Sequence, residues 1–177
     1  MNGERPEELQ AWTALCEVVD RVRVALNRDL QRSAGLTLAE NLVLCHIAMA
    51  PGQRLRMVDI AGLLAIGKSA VTKTVDRLEL RGLITRERDP GDRRTVYATL
   101  TAEGENAFAT AQPAFADGVQ RHFAGQLDQA QARQLLDLSQ RVLRRLPPIA
   151  AGPHADEPSR TDGPAMAAVN GRYRDGK

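Results

Sequence analysis

The chain has 177 residues, of which 43% are apolar but only 3% aromatic, so it can bury a core built mostly from Leu, Val and Ala. That composition favours helices and leaves room for one domain of ordinary size plus a tail. No apolar run is long enough for a membrane span, the polar start MNGERPEELQ lacks a secretory apolar region, and Cys16 and Cys45 have neither metal-like spacing nor the number for a disulfide scaffold. The expectation is a reduced, cytoplasmic protein with no membrane association and no cofactor. Net charge is +2 with a pI near 8.8, a weak hint of an anionic partner.

Residues 1–8 are expected to be disordered. Over residues 7–33, Leu9, Trp12, Leu15, Cys16, Val19, Val22, Leu26 and Leu30 recur at steps of three and four, the mark of an amphipathic helix that Gly35 ends. Thr37-Leu-Ala-Glu40 reads as a capping box opening a second helix, which Pro51-Gly52 stops. A short, poorly capped helix is predicted over 57–64, and Gly67 lies in the turn before a longer one over 68–81. Gly82 fits the left-handed position after that helix. Two strand-like runs, 83–88 and 95–100, flank the turn tetrapeptide Asp89-Pro-Gly-Asp92. Thr101 caps a long helix to about residue 126, with Pro113 expected to kink it, and Asp128 to Gln131 form a second capping box before a last helix carrying Leu135, Leu138, Val142 and Leu146. From 147 onward, 31 residues hold five Pro, four Gly and balanced charge, the composition of a disordered tail.

The predicted architecture is mainly α (α+β): a winged helix-turn-helix domain over about 37–104, flanked by helices over about 9–33 and 102–146. Its third and fourth helices suit a DNA major groove. Val71, Val75 and Leu78 make an inner stripe, while Lys68, Ser69, Thr72, Lys73, Asp76 and Arg77 face outward. Ser69, Thr72 and Lys73 lie in the first turns, which come closest to base edges in helix-turn-helix docking. Lys73 or Arg77 would read a guanine or hold a phosphate, and Lys68 sits at the helix N-terminus, where backbone donors favour phosphate. The hairpin places Arg86, Arg88, Arg93 and Arg94 against Glu87, Asp89 and Asp92. A narrow minor groove attracts arginine; one of Arg93 and Arg94 is expected to insert there while the other braces the turn through Asp92.

Asp92-Arg-Arg94 followed by Leu100-Thr101-Ala-Glu-Gly104 resembles the signature of the multiple-antibiotic-resistance (MarR) type regulators. The run from Val71 to Ile84 and Gly35-Leu-Thr37 are similar to the same family, and the resemblance extends over about 9–146. It implies a homodimer with intertwined first and last helices, reading a pseudo-palindromic operator in duplex DNA as a repressor released by a ligand or oxidant. Pairing has a physical basis too. Leu9, Trp12, Val19 and Leu26, with Phe115, Val119, Phe123, Leu135, Leu138 and Val142, are more apolar surface than one small winged domain covers. A two-fold axis would bury both sets.

The resemblance leaves the switch open. An apolar or aromatic-acid effector is expected in a pocket drawing on Trp12, Cys16, His46, Met49 and Arg54. Cys16 is also the candidate for a peroxide-sensing thiol, although Glu17 beside it disfavours a thiolate, and Tyr97 and Tyr173 are not the nearby tyrosines of the hydroperoxide-sensing branch. The urate-responsive pattern would use Trp12 and Arg86, yet Leu42 and Thr74 occupy its other positions. The competing functional reading is a winged-helix protein-interaction module without DNA affinity. An enzyme is not expected: the chain has no phosphate-binding glycine loop or nucleophile elbow, and His46, His122 and His154 are widely separated.

Overall fold

The computed structural model describes residues 6–64, 67–92 and 94–147. The element order is α1 (Glu7–Ala34), α2 (Leu38–Met49), β1 (Arg54–Arg56), α3 (Met57–Leu64), α4 (Lys68–Leu80), β2 (Ile84–Arg88), β3 (Val96–Leu100), α5 (Ala102–His122) and α6 (Gln129–Leu143). The fold is a mainly helical winged helix with a three-stranded antiparallel sheet. The chain divides into two compact units: a winged unit over Ala39–Ala109, and an outer-helix unit joining the residues up to Leu38 with Thr110–Arg145. Arg93 and the tail from 148 onward, both the subject of expectations above, lie outside the described residues.

In the winged unit, α3 packs on α4, α4 packs on β2, and α3 also meets β1 and β3. Val43, Leu44, Ile47, Ile60, Val75 and Leu78 have no exposed surface. Helix α4 ends as its sequence predicts. Gly82 takes φ +70°, a left-handed conformation that costs other residues a Cβ clash, and its N–H reaches the Glu79 carbonyl at 2.8 Å. The Leu83 N–H returns to the Leu78 carbonyl at 2.9 Å, turning the chain into β2.

β3 is the central strand, with β1 and β2 on its two sides. Ile84 pairs with Leu100, Arg86 with Ala98 and Arg88 with Val96, so these six share one face. Thr85, Glu87, Tyr97, Thr99, Arg54 and Arg56 share the other. β1 is an element the sequence reading did not anticipate. Thr101 closes the wing: its hydroxyl donates to the Gly82 carbonyl at 2.7 Å and accepts the Gly104 N–H at 3.0 Å, capping α5. Gly104 is buried here because the chains nearly touch; a Cβ at that position would lie 1.9 Å from the Leu83 carbonyl oxygen.

The outer-helix unit contains α1, α6 and the later part of α5. Glu7 and Glu8 form the acidic first turn of α1, so order begins before the boundary placed at residue 9. Leu26 and Leu30 of α1 are buried, as are Ala111 and Phe115 of α5. Asp29 joins the two helices, with one carboxylate oxygen 2.7 Å from His122 Nε2 and 3.1 Å from an Arg121 nitrogen. The hydrogen bond from His122, aided by the charges of His122, Arg28 and Arg121, holds the Asp29 carboxyl below the usual carboxylate range. Asp128 and Gln131 form the expected reciprocal capping box at the start of α6. Helix α5 ends at His122, a turn earlier than expected, and a short 3-10 turn over Ala124–Gln126 follows.

Candidate nucleic-acid interface

Helix α4 buries Val71, Val75 and Leu78 and presents Ser69, Thr72, Lys73, Asp76 and Arg77 to solvent. The burial follows the 3.6-residue period, so the polar face is a consequence of where the three apolar residues must go. The helix begins at Gly67, whose carbonyl accepts the Ala70 and Val71 N–H groups. Backbone donors at this end favour an anion. Lys68 starts the helix, although its side chain lies outside the described residues.

Three acidic residues near this face, Glu40, Asp76 and Glu79, are paired with arginine. The Glu40 side chain is only 5% exposed, and its oxygens lie 3.1 Å from Arg77 and 3.6 Å from Arg81. Arg86 lies 2.5 Å from Asp76 and 3.5 Å from Glu79, joining β2 to the outer side of α4. A carboxylate pointed at a phosphate backbone costs affinity, and these pairs remove three of them without deleting the residues. Arg77 and Arg86 therefore differ from Lys73 in having a carboxylate partner among the described residues. Arg86 is also the more enclosed, with a side chain 25% exposed.

The wing is held by its own aspartates. Asp89 Oδ1 accepts the N–H groups of Gly91 at 2.8 Å and Asp92 at 3.1 Å. Asp92 accepts the Arg94 N–H at 3.0 Å and the Thr95 hydroxyl at 2.8 Å. Backbone bonds Asp89 N to Thr95 O, 3.0 Å, and Thr95 N to Asp92 O, 2.9 Å, complete the turn. Asp92 thus braces the turn through the backbone N–H of Arg94 and the Thr95 hydroxyl. Arg88 and Arg94 stand exposed on either side of the tip.

The residues expected to line an effector pocket are differently placed. Trp12 is 64% exposed and Cys16 half-buried, both on α1. His46 and Met49 are half-buried on α2. His46 Nδ1 is buried without a hydrogen-bond partner, and burial lowers its pKa. Burial likewise pushes the Cys45 thiol up, keeping it protonated. Arg54 departs from the expectation. It lies on the wing sheet, its guanidinium 3.8 Å from the Tyr97 ring centroid and 3.9 Å from Asp89 Oδ2. Sequence reasoning did not place Arg54 in this sheet. The alternation Arg54-Leu55-Arg56 is a period-2 signal, but at three residues it is too short to read alone.

A sequence profile described as the MarR family matches residues 34–95, the stretch from the end of α1 to the wing. The transcriptional regulator HosA of Escherichia coli O111:H- is 32% identical over 109 residues, covering 61% of this chain and 78% of that protein. Among solved structures, Sco3205, a MarR family transcriptional regulator from Streptomyces coelicolor in complex with DNA, superposes with a TM-score of 0.74 at 31% identity, covering 82% of this chain and 95% of that one. Bordetella bronchiseptica BpsR, whose DNA binding is regulated by 6-hydroxynicotinic acid, gives a TM-score of 0.69 at 26% identity, covering 80% of this chain and 98% of that one. The polar helix face, the braced wing and these likenesses agree: the chain belongs to the MarR family of DNA-binding transcriptional regulators.

Proposed function

We propose that two copies of this chain pair through their outer helices and bind a pseudo-palindromic operator as a ligand-released repressor in the cytoplasm. The single observation carrying the DNA reading is that the winged unit exposes both the Ser69, Thr72 and Lys73 face of α4 and the Arg88 and Arg94 flanks of the wing. Beside them, Glu40 is paired with Arg77 and Arg81, and Asp76 and Glu79 share Arg86. Ser69, Thr72 and Lys73 would meet base edges, Lys68 and Arg77 phosphates, and Arg88, Arg93 and Arg94 the minor groove. Arg86 and Asp92 would hold those groups in place.

Pairing is supported by apolar surface that one chain leaves open. On α1, Leu9, Trp12, Leu15 and Val19 are exposed; on α6, Leu138, Val142 and Leu143 are. Such continuous stripes on two long helices mark an interface. A small aromatic acid is the proposed effector class, on the analogy of the acid that regulates BpsR. Thiol sensing through Cys16 is the less favoured switch, because Glu17 adjoins it.

The test is a fluorescence-anisotropy titration against the duplex directly upstream of the protein's own coding sequence, repeated across salt. Binding should weaken steeply with salt, by roughly 1000-fold or more between about 50 and 200 mM if six or more phosphates are neutralised. Binding that ignores salt, or no binding to that duplex, would contradict the reading. A protein-interaction module would behave in the second way.

A further inference from the structure

We propose that Arg54 is a positioning residue for DNA binding, which sets the wing before DNA arrives by stacking on Tyr97 and pairing with Asp89. This rests on the wing being a DNA-contacting element. β1 immediately precedes α3 and packs on it, so it belongs to the base of the helix-turn-helix. Its pairing with β3 brings Arg54 opposite Thr99 and places Tyr97 two residues further along the same face, toward the wing tip. From there the guanidinium covers the half-buried Tyr97 ring at 3.8 Å and reaches Asp89 Oδ2 at 3.9 Å.

Asp89 is the residue on which the tip depends. Its other oxygen, Oδ1, holds the Gly91 and Asp92 N–H groups, and its own N–H is bonded to Thr95. Arg54 thus links the base of the motif to the carboxylate that shapes the turn. A two-stranded hairpin alone is floppy at its tip, and any freedom it keeps must be surrendered on binding. A planar cation is suited to this task, because it stacks on a ring and offers its edge to a carboxylate at once. Arg54 adds nothing to the DNA surface itself in this arrangement; the ordering of Arg88 and Arg94 is its effect.

The experiment compares Arg54→Ala, Arg54→Lys, Tyr97→Leu, Arg94→Ala and the Arg54→Ala/Tyr97→Leu double variant in the same upstream-duplex titration. Arg54→Ala should weaken binding about three- to tenfold, since a partly exposed stack and a loose ion pair are each modest. The slope of log affinity against log salt should stay unchanged, because no phosphate contact is removed. Arg54→Lys should recover part of the loss. Tyr97→Leu should add little to Arg54→Ala, since both remove one contact. Amide hydrogen exchange at Gly91 and Asp92 should quicken in Arg54→Ala while that of α4 stays as it was.

Wild-type affinity in Arg54→Ala would overturn the proposal. So would a slope reduced by about 0.9, the sign of a lost phosphate contact. Additive losses in the double variant, or unchanged exchange at the tip, would overturn it as well. Arg94→Ala separates this from the underlying reading. If Arg94→Ala leaves binding intact, the wing is not at the DNA and both fail. If Arg94→Ala weakens binding and Arg54→Ala does not, only the role of Arg54 fails.

Discussion

The two units of this protein solve the problem of apolar surface in opposite ways. The winged unit closes its core within one chain: Val43, Leu44, Ile47, Ile60, Val75 and Leu78 are all sealed, and the sheet turns Ile84, Ala98 and Leu100 inward. The outer helices bury one stretch of α1 near Leu26 and Leu30 and leave Trp12 and Val142 more than half exposed. A reading head must present a fixed polar surface, so it has to be complete in itself. On the proposed pairing, the outer helices keep apolar surface in reserve for a partner.

The largest effect expected from this contrast comes from spoiling the reserve. Leu138→Glu with Val142→Glu places charges on exposed positions, so the chain should still fold, yet sedimentation should show single chains. Operator affinity should fall by about 100-fold or more, the usual loss when two linked half-site contacts become independent. Retention of paired chains would mean that α6 is not at the interface.

Next is a lesion inside the winged unit. Gly104→Val forces a Cβ into space where the Leu83 carbonyl oxygen already lies, 1.9 Å away. Neither the α5 turn nor the wing backbone can yield cheaply, so urea unfolding should report a loss of about 3 kcal/mol. A near-neutral result would mean that the α5 start and the Leu83 turn are not rigidly joined.

A smaller change comes at the wing tip. Arg94→Ala should leave unfolding untouched, weaken binding about tenfold across sequences, and lower the salt slope by about one.

Much of the winged unit was legible because its signals are local. Gly82, the Asp89-to-Asp92 turn and the Thr101 cap on Gly104 each act on neighbours within a few residues, and the structure sets each boundary within a residue of where they predict it. β1 was not legible, because Arg54-Leu55-Arg56 becomes a strand only when β3, more than forty residues later, lies beside it. The same distance hid the contacts of Arg54 with Tyr97 and Asp89, and of Glu40, whose partner Arg77 is 37 residues away. Charge in the sequence marked Arg77 and Arg86 as cations; it could not say that carboxylates already hold them.

The smallest predicted effect separates the units by pH. His46, in the winged unit, has its pKa lowered by burial, so the unfolded chain binds a proton more readily than the folded one. Its contribution is complete above the ordinary histidine value of about 6.5 and is lost as pH falls from there. Asp29, in the outer helices, is also lowered, so its contribution is complete above about 3.9 and is lost only as pH drops below that. Urea midpoints from pH 8 to pH 3 should therefore decline in two steps. His46→Leu should flatten the first, and Asp29→Asn the second. A first step unchanged in His46→Leu would assign it to another group.

The division of labour between the units is tested most directly by native mass spectrometry of the protein with its upstream duplex. The account predicts two chains per duplex for the wild type, and no such complex for the Leu138→Glu, Val142→Glu variant under the same conditions. One chain per duplex in the wild type, or a two-chain complex that survives in the variant, would contradict it.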